Sequence, residues 1–265
     1  MAYPTILKLS RALSMACAAA FVAPLWAAPI TLMNATTELV VNGGEAGNGL
    51  VPYDGYFRYT DLATAEETTW SIDPTLRFAG GSTTVLSASG ASGLGSPTLV
   101  AGGAESSALS GGITTTACTE LIGSNTRTTF TFTAAAGTRL DGTNFVFYAE
   151  NDLFGFGDDA AAFQGSFAGG DLALFQYDTG AGGLTVRMTS ETSEGALLST
   201  FGSGAWTGFG TALELGDLSV LSSDGSNFVS LGDLGLAVNF SLSGTTGTMV
   251  INYDTQPLPP SIPEP

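Results

Sequence analysis

Oxygen acids supply almost all the reactive chemistry of this sequence. It has no histidine, and its single lysine, Lys8, lies at the extreme N-terminus. Without imidazole there is no Ser-His-Asp triad, Cys-His pair or histidine-ligated zinc. Without a lysine further along, Ser-Lys dyads, Schiff bases and pyridoxal phosphate chemistry are closed as well. No glycine loop ends in Lys-Ser/Thr to cradle a phosphate. Hard-cation binding and paired-acid catalysis remain. For the first, Glu150-Asn151-Asp152 and Asp158-Asp159 bracket Leu153-Phe154-Gly155-Phe156-Gly157, directly after a strand-like run. A glycine-rich loop lets oxygens converge, and Ca²⁺ takes about six to eight of them. Asn151, Asp152, Asp158 and Asp159 are therefore the candidate ligands of a calcium site. Their spacing matches neither an EF-hand nor a Gly-Gly-x-Gly-x-Asp repeat, and the plainer reading is a solvated turn anchored by two phenylalanines.

Paired acids give weaker candidates. Asp178-Thr179-Gly180-Ala181, preceded by Leu174-Phe175-Gln176-Tyr177, looks like the Asp-Thr-Gly loop of aspartic proteases. Those enzymes need two such aspartates sharing a proton. No second Asp-Thr/Ser-Gly occurs here, and the same residues make an ordinary hairpin turn. Glycoside hydrolysis needs two carboxyls across a cleft; Asp158-Asp159 and Glu66-Glu67 are the adjacent acid pairs, read otherwise as loop charges. Trp70, Trp206 and Tyr56 are the aromatics that would stack on a sugar, unless they belong to the core.

The elements that must position these groups are strands. Leu236, Val238, Phe240 and Leu242 alternate with small or polar residues, Gly244-Thr245-Thr246-Gly247 reads as a turn, and Met249, Ile251 and Tyr253 share the next face. That pattern predicts a hairpin. Phe130 and Phe132 alternate with threonines, and Phe145 and Phe147 follow beyond Gly142. Leu172–Tyr177 and Leu184–Thr189 flank the Asp178-Thr179-Gly180 turn. Further strands are expected at Thr31–Val41, Tyr56–Asp61, Thr69–Phe78, Thr83–Ser87, Ile113–Leu121 and Leu213–Leu221, with a short helix near Ala160–Phe163. The fold class is all-β, an antiparallel β-sandwich or jelly-roll-like domain over residues 28–256, with an irregular Gly/Ser-rich region at 80–112 and a Pro-rich tail at 257–265. Hydrophobic residues form 44% of the chain, including 16 Phe, which is ample for a packed core and argues against disorder.

Export is written at the N-terminus. Lys8 and Arg11 precede an apolar run from Ala12 to Trp26 and then Ala27-Ala28, the order of a secretory signal peptide cleaved after Ala27. The competing lipoprotein reading at Cys17 has Ser14 where a Leu-like residue belongs. After cleavage five arginines (58, 77, 127, 139 and 187) oppose 24 carboxylates, a balance of −19 against −17 for the whole chain. Such a field repels nucleic acid and anionic membranes. Cys118 is then the only thiol, so no internal disulfide forms, and it is expected to be a buried small hydrophobe.

The terminal Ser261-Ile262-Pro263-Glu264-Pro265, after a Pro-rich spacer, resembles the start of the PEP-CTERM sorting signal. In that family the Pro-Glu-Pro tripeptide leads into a hydrophobic helix and an Arg-rich end, which a membrane exosortase recognises and cleaves. The resemblance implies Pro263, Glu264 and Pro265 as the sorting motif, an exosortase-type partner, a Gram-negative-type envelope and association with exopolysaccharide and biofilm matrix. The expectation from sequence is thus a non-catalytic surface or matrix protein without a stable membrane span of its own. Its partners would be exopolysaccharide or further copies of itself. The alternatives are a carboxylate-dependent hydrolase of glycosidase type or a Ca²⁺-dependent carbohydrate-binding module.

Overall fold

Alternation with period two becomes antiparallel sheet. The computed structural model describes residues 29–42, 55–69, 71–87, 93–151, 153, 159–166, 170–178 and 184–257. The expected signal peptide (1–27) and the motif Pro263-Glu264-Pro265 lie outside the described residues. A four-stranded sheet runs β1 (Ile30–Met33), β2 (Thr37–Val41), β3 (Phe57–Asp61), β4 (Glu66–Glu67). A five-stranded sheet has the order β15 (Ala196–Ala205), β16 (Leu234–Leu242), β11 (Asn144–Glu150), β5 (Ser71–Arg77), β6 (Thr83–Val85). The largest, of eight strands, is ordered β12 (Asp159–Gln164), β13 (Ala173–Asp178), β14 (Leu184–Thr192), β17 (Thr246–Pro257), β10 (Asn125–Ala134), β9 (Ile113–Ile122), β8 (Gly103–Ser110), β7 (Thr98–Val100). The strand ladders between them are all antiparallel. Among the described residues no helix is long and apolar enough to cross a membrane.

The inner faces of the three sheets share one core. Phe130 of the eight-stranded sheet shows how. Its ring lies 4.7 Å from Phe145 and 6.0 Å from Phe147 of the five-stranded sheet, and 5.9 Å from Tyr56 at the start of β3. Phe132 meets Phe145 at 5.1 Å, and Tyr59 meets Tyr253 at 5.3 Å. Tilted and edge-on contacts of this kind add to the area each ring buries. The N-terminal sheet is also pinned by hydroxyls. Tyr59 Oη donates to Ser124 O at 2.6 Å, and Tyr56 Oη lies 2.9 Å from Thr119 Oγ1, itself 3.0 Å from Thr128 Oγ1.

Several sequence expectations are corrected. The strands around Gly244–Gly247 form, but they are not a hairpin. β16 pairs with β11 and β15, β17 with β10 and β14, and the turn arches from one sheet to the other. Alternation states which face of each strand is buried, and that is the same whether two strands lie side by side or across a core. Residues Thr31–Val41 form two strands, because Asn34 Oδ1 accepts the Thr36 and Thr37 N–H groups and turns the chain. Ala160–Phe163 is strand, drawn into register with Leu174–Tyr177 by pairing of β12 on β13. The region expected as a strand at Leu213–Leu221 instead ends helix α1 (Trp206–Glu214) and continues as a 3₁₀ turn, Leu218–Val220. Gly208 and Gly210 hide that helix from propensity reasoning. It forms because Phe209 and Leu213, one turn apart, cover the outer face of the five-stranded sheet with Val146, Tyr148, Leu221 and Ala237. The irregular stretch 80–112 supplies β6, β7 and β8. Cys118 is half-buried on the outward face of β9, not in the core.

Phe145 is fully buried and packs against the rings of Phe130, Phe132 and Phe240, so Phe145→Ala is expected to cost about 3–5 kcal/mol in a chemical denaturation series, with cavity formation as the cause.

Candidate functional site

Of the four predicted calcium ligands the structure describes two, Asn151 and Asp159. Asn151 follows β11 and Asp159 opens β12; both are buried. Asp152 and Asp158 lie outside the described residues. Asn151 and Asp159 are joined through a residue the sequence reading did not select, Gln176 of β13. Gln176 Nε2 donates to Asp159 Oδ2 and to Asn151 O, both at 2.8 Å, while Asn151 Nδ2 donates back to Gln176 Oε1 at 2.8 Å. Tyr253 of β17 closes the network, its hydroxyl donating to Asn151 Oδ1 at 2.6 Å with Thr68 Oγ1 2.9 Å away. The Asn151 oxygen that would face a cation thus accepts a phenol. The amide pair ties β11, β12, β13 and β17 together across the core edge. A sequence signal for it existed: Gln176 is a polar residue on the inward side of an otherwise apolar strand. Among the described residues no three acidic or thiol side chains are grouped to hold a metal ion.

The other sequence candidates separate. Glu67, on the short edge strand β4, has its carboxylate 3.6 Å from Arg58, which also approaches Glu38 at 3.9 Å. Burial pushes the Glu67 carboxyl up and Arg58 partly offsets it. Asp178 ends β13 half-buried, and the rest of its Asp-Thr-Gly turn lies outside the described residues. Tyr56 is fully buried with its hydroxyl on Thr119, so it belongs to the core and not to a sugar-stacking surface. The side chains of Trp70 and Trp206 lie outside the described residues.

Two surface features matter for chemistry. A groove of about 600 Å³ is lined by residues that include Ser166, Leu172, Ser190, Glu191, Thr192 and Leu197. Glu191 is the one carboxylate among its described lining residues, and both its oxygens are engaged, by Asn252 Nδ2 at 3.1 Å and Arg127 at 3.4 Å. The second feature is on the outer face of the five-stranded sheet, and sequence reasoning missed it. Tyr148 of β11 stands directly across from Asp73 of β5, with Glu150 two residues on along the same face. Its ring packs edge-on to Phe209 at 6.0 Å. It is only 4% exposed, yet among the described residues its hydroxyl has no hydrogen-bond partner. Burial holds the phenol far above its ordinary range, and the negative charges of Glu150, Asp73, Asp233 and Glu214 raise it further. The carboxyl of Glu214, at the rim, is pushed up by desolvation and by Asp73. Asp73 itself accepts a hydrogen bond from Ser87 Oγ. Here the described fold collects carboxylates of unequal environment, and here any paired-acid chemistry has to be sought.

No known protein family and no curated protein matches the chain. Solved structures do. A bacterial glucoamylase complexed with acarbose superposes with a TM-score of 0.55 at 7% identity, over 83% of this chain and 30% of that one. The heparan sulfate lyase HepC from Pedobacter heparinus gives a TM-score of 0.48 at 10% identity, over 87% of this chain and 35% of that one. The chain therefore spans about a third of the length of these structures, and at such identities the likeness is one of fold.

The two buried phenols predict opposite responses. Tyr253→Phe strands the Asn151 oxygen and is expected to lower stability by about 1–3 kcal/mol, whereas Tyr148→Phe removes an unsatisfied hydroxyl and leaves Tm unchanged or raised. Thermal melts of the two variants check this.

The acids predict a pH optimum for stability. Glu67, Glu214 and Asp254 are all raised, chiefly by burial. The folded state holds those protons more tightly than the unfolded chain, so their stabilisation is present at low pH and lost as pH rises through the folded values. Asp141, Asp217 and Asp224 are lowered, first by hydrogen bonds from Arg139, Ser219 and the Ser226 backbone, so their contribution is lost as pH falls. Tm at about pH 5 is expected to exceed that at about pH 8 and to drop again below about pH 3.5.

Proposed function

We propose that this chain is an exported, non-catalytic β-sandwich protein that works by associating with polysaccharide at the cell surface or in the extracellular matrix. An N-terminal signal peptide would export it, and an exosortase-type enzyme would sort it through Pro263-Glu264-Pro265. The observation that carries the reading is the disposition of its reactive groups. The open groove offers serine and threonine hydroxyls and exposed Leu197, with one carboxylate already held by Arg127 and Asn252. Hydroxyls, an apolar patch and a fixed acceptor are what saccharide binding uses, and hydrolysis needs a second acid there. The strong negative balance makes nucleic acid and anionic membrane poor partners. Likeness of fold to part of a glucoamylase agrees with a carbohydrate setting.

A second reading is favoured by one observation. Asp73 and Glu214 lie near each other on the outer sheet face, with the Glu214 carboxyl raised as a general acid requires. A carboxylate hydrolase would use that pair.

One experiment separates the two. Purified protein is run by affinity electrophoresis through gels containing neutral and acidic exopolysaccharides, and the same mixtures are assayed for reducing ends. Retardation without release of reducing ends above the blank is expected. Release that disappears in both Asp73→Asn and Glu214→Gln would replace the binding reading by the hydrolase.

A further inference from the structure

β12 is an edge strand of the eight-stranded sheet and β15 an edge strand of the five-stranded one, and residues at both edges line the groove of Leu172, Ser190, Thr192 and Leu197. Two lines of side chains lead from that groove to Phe163 of β12. On the larger sheet Phe163 stands across from Leu174. Leu172, in the groove wall, is two residues before Leu174 on the same inward face. On the smaller sheet a β-bulge does the aligning. Leu198 pairs with Phe240, whereas Thr200 and Phe201 pair with Asn239 and Val238, so the register shifts between Leu198 and Thr200. The extra residue brings Leu198, also in the groove wall, and Phe201 to one inward face. Asn239 Nδ2 fixes the bulge by donating to Ser199 Oγ at 2.9 Å and to Thr200 Oγ1 at 3.1 Å. Phe201 then meets the Phe163 ring edge-on at 5.0 Å.

The core grips that ring from one side. Its centroid lies 5.0 Å from Phe201 and 5.1 Å from Phe228, and those two rings are 6.2 Å apart. Neighbours so close to each other approach Phe163 from the same side, and the exposed 38% of the residue faces away from them. Gly225 backs the tip of the ring: a Cβ there would fall 2.5 Å from Phe163 Cζ. The ring is therefore held in place before any ligand arrives, and little rotamer freedom is lost on binding. The wall beside it is uncharged. Glu191 is engaged by Arg127 and Asn252, and Asp171 Oδ1 accepts the Ser166 N–H at 3.0 Å. A fixed aromatic face, leucines and the hydroxyls of Ser190 and Thr192 suit a neutral ligand with apolar faces and a polar rim. A pyranose with every substituent equatorial has that form: its axial C–H bonds cover both faces and its hydroxyls lie around the edge.

We propose that Phe163 is the stacking platform of this groove and selects neutral, β-linked chains of all-equatorial pyranose units, the gluco configuration. Sugar C–H faces lie on Phe163 and Leu197, and rim hydroxyls exchange hydrogen bonds with Ser190 and Thr192. In a β-1,4-linked chain successive units turn opposite faces to the wall. A manno-configured chain therefore brings an axial oxygen against an apolar side chain, where that oxygen is desolvated without a partner. The proposal rests on the polysaccharide-binding reading and names a sugar class for it.

The test is isothermal titration of the full chain with cellohexaose and with β-1,4-mannohexaose, which share charge, length and linkage. Wild type is compared with Phe163→Leu, which removes the ring and keeps an apolar side chain, and with Phe163→Tyr, which keeps the ring. Leu99→Ser is the control, at a residue 72% exposed on β7, the opposite edge of the same sheet. Wild type is expected to bind cellohexaose about tenfold more tightly than mannohexaose, and Phe163→Leu to lose about tenfold on cellohexaose together with the preference. Phe163→Tyr and Leu99→Ser are expected to bind as wild type does. Wild-type affinity in Phe163→Leu overturns the platform, and equal loss in Phe163→Tyr does so by showing that the residue only packs. Equal loss in Leu99→Ser overturns it as general apolar adhesion. A concentration-dependent dimer that Phe163→Leu abolishes, without a Phe163-dependent affinity for either hexasaccharide, overturns it in favour of contact between two copies of the chain. Equal affinity of wild type for the two hexasaccharides overturns the selectivity. Each of these leaves polysaccharide association standing where gels still retard the protein; a wild type that no polysaccharide retards and no hexasaccharide binds overturns both.

Discussion

One ring holds the position of every layer. Phe130, on a central strand of the largest sheet, touches Phe145 and Phe147 of the second sheet and Tyr56 of the third. Cys118, the one cysteine among the described residues, is free, so the sheets are joined by apolar burial and by a few phenol hydroxyls. Aromatic contact fixes the spacing between sheets, and the hydroxyls fix the lateral position. Tyr56, Tyr59 and Tyr253 each place a ring in the common core and an oxygen on a threonine or backbone partner. The burial that anchors them also holds all three phenols above their ordinary range, so they stay neutral while the fold persists.

That joint determines what the surfaces can do. Apolar side chains face inward from all three sheets, leaving threonine, serine and acids on much of the outer faces, apart from the apolar patches under α1 and along β12 and β13. On the eight-stranded sheet those acids are tied across strands to arginines, as Arg187 is to Asp254 and Arg127 to Glu191. On the five-stranded sheet a helix covers the outer face, and it meets a glycine-lined surface. A Cβ on Gly204 would lie 2.8 Å from the Phe209 ring. The close approach that admits Phe209 also buries Tyr148 beside four carboxylates. The acid nest is therefore a by-product of how the helix docks.

The sequence made the strands legible because alternation needs only local side-chain pattern. Phe130/Phe132 and Phe145/Phe147 were readable as buried faces from spacing alone. Partnership was not readable: β16 and β17 have a hairpin's pattern and turn but belong to different sheets, since the buried face is the same in either arrangement. Helix α1 was hidden by Gly208 and Gly210, residues that weaken a helix in isolation yet let this one sit close to the sheet. Of the candidate site, Asn151 and Asp159 were legible as neighbouring polar groups, and in the fold they meet through Gln176. Gln176, which joins them, and Tyr148 with its four acids were missed, because both arrangements draw on strands far apart in the chain and ordered only by the sheets.

The central claim is that three sheets share one aromatic layer and so open together. Native-state hydrogen exchange in increasing denaturant tests it most directly, by following amides of β3, β10 and β11. The account predicts that all three strands exchange through one opening of the same free energy. Exchange of β3 through a separate opening of much lower free energy, with β10 and β11 still protected, would contradict it.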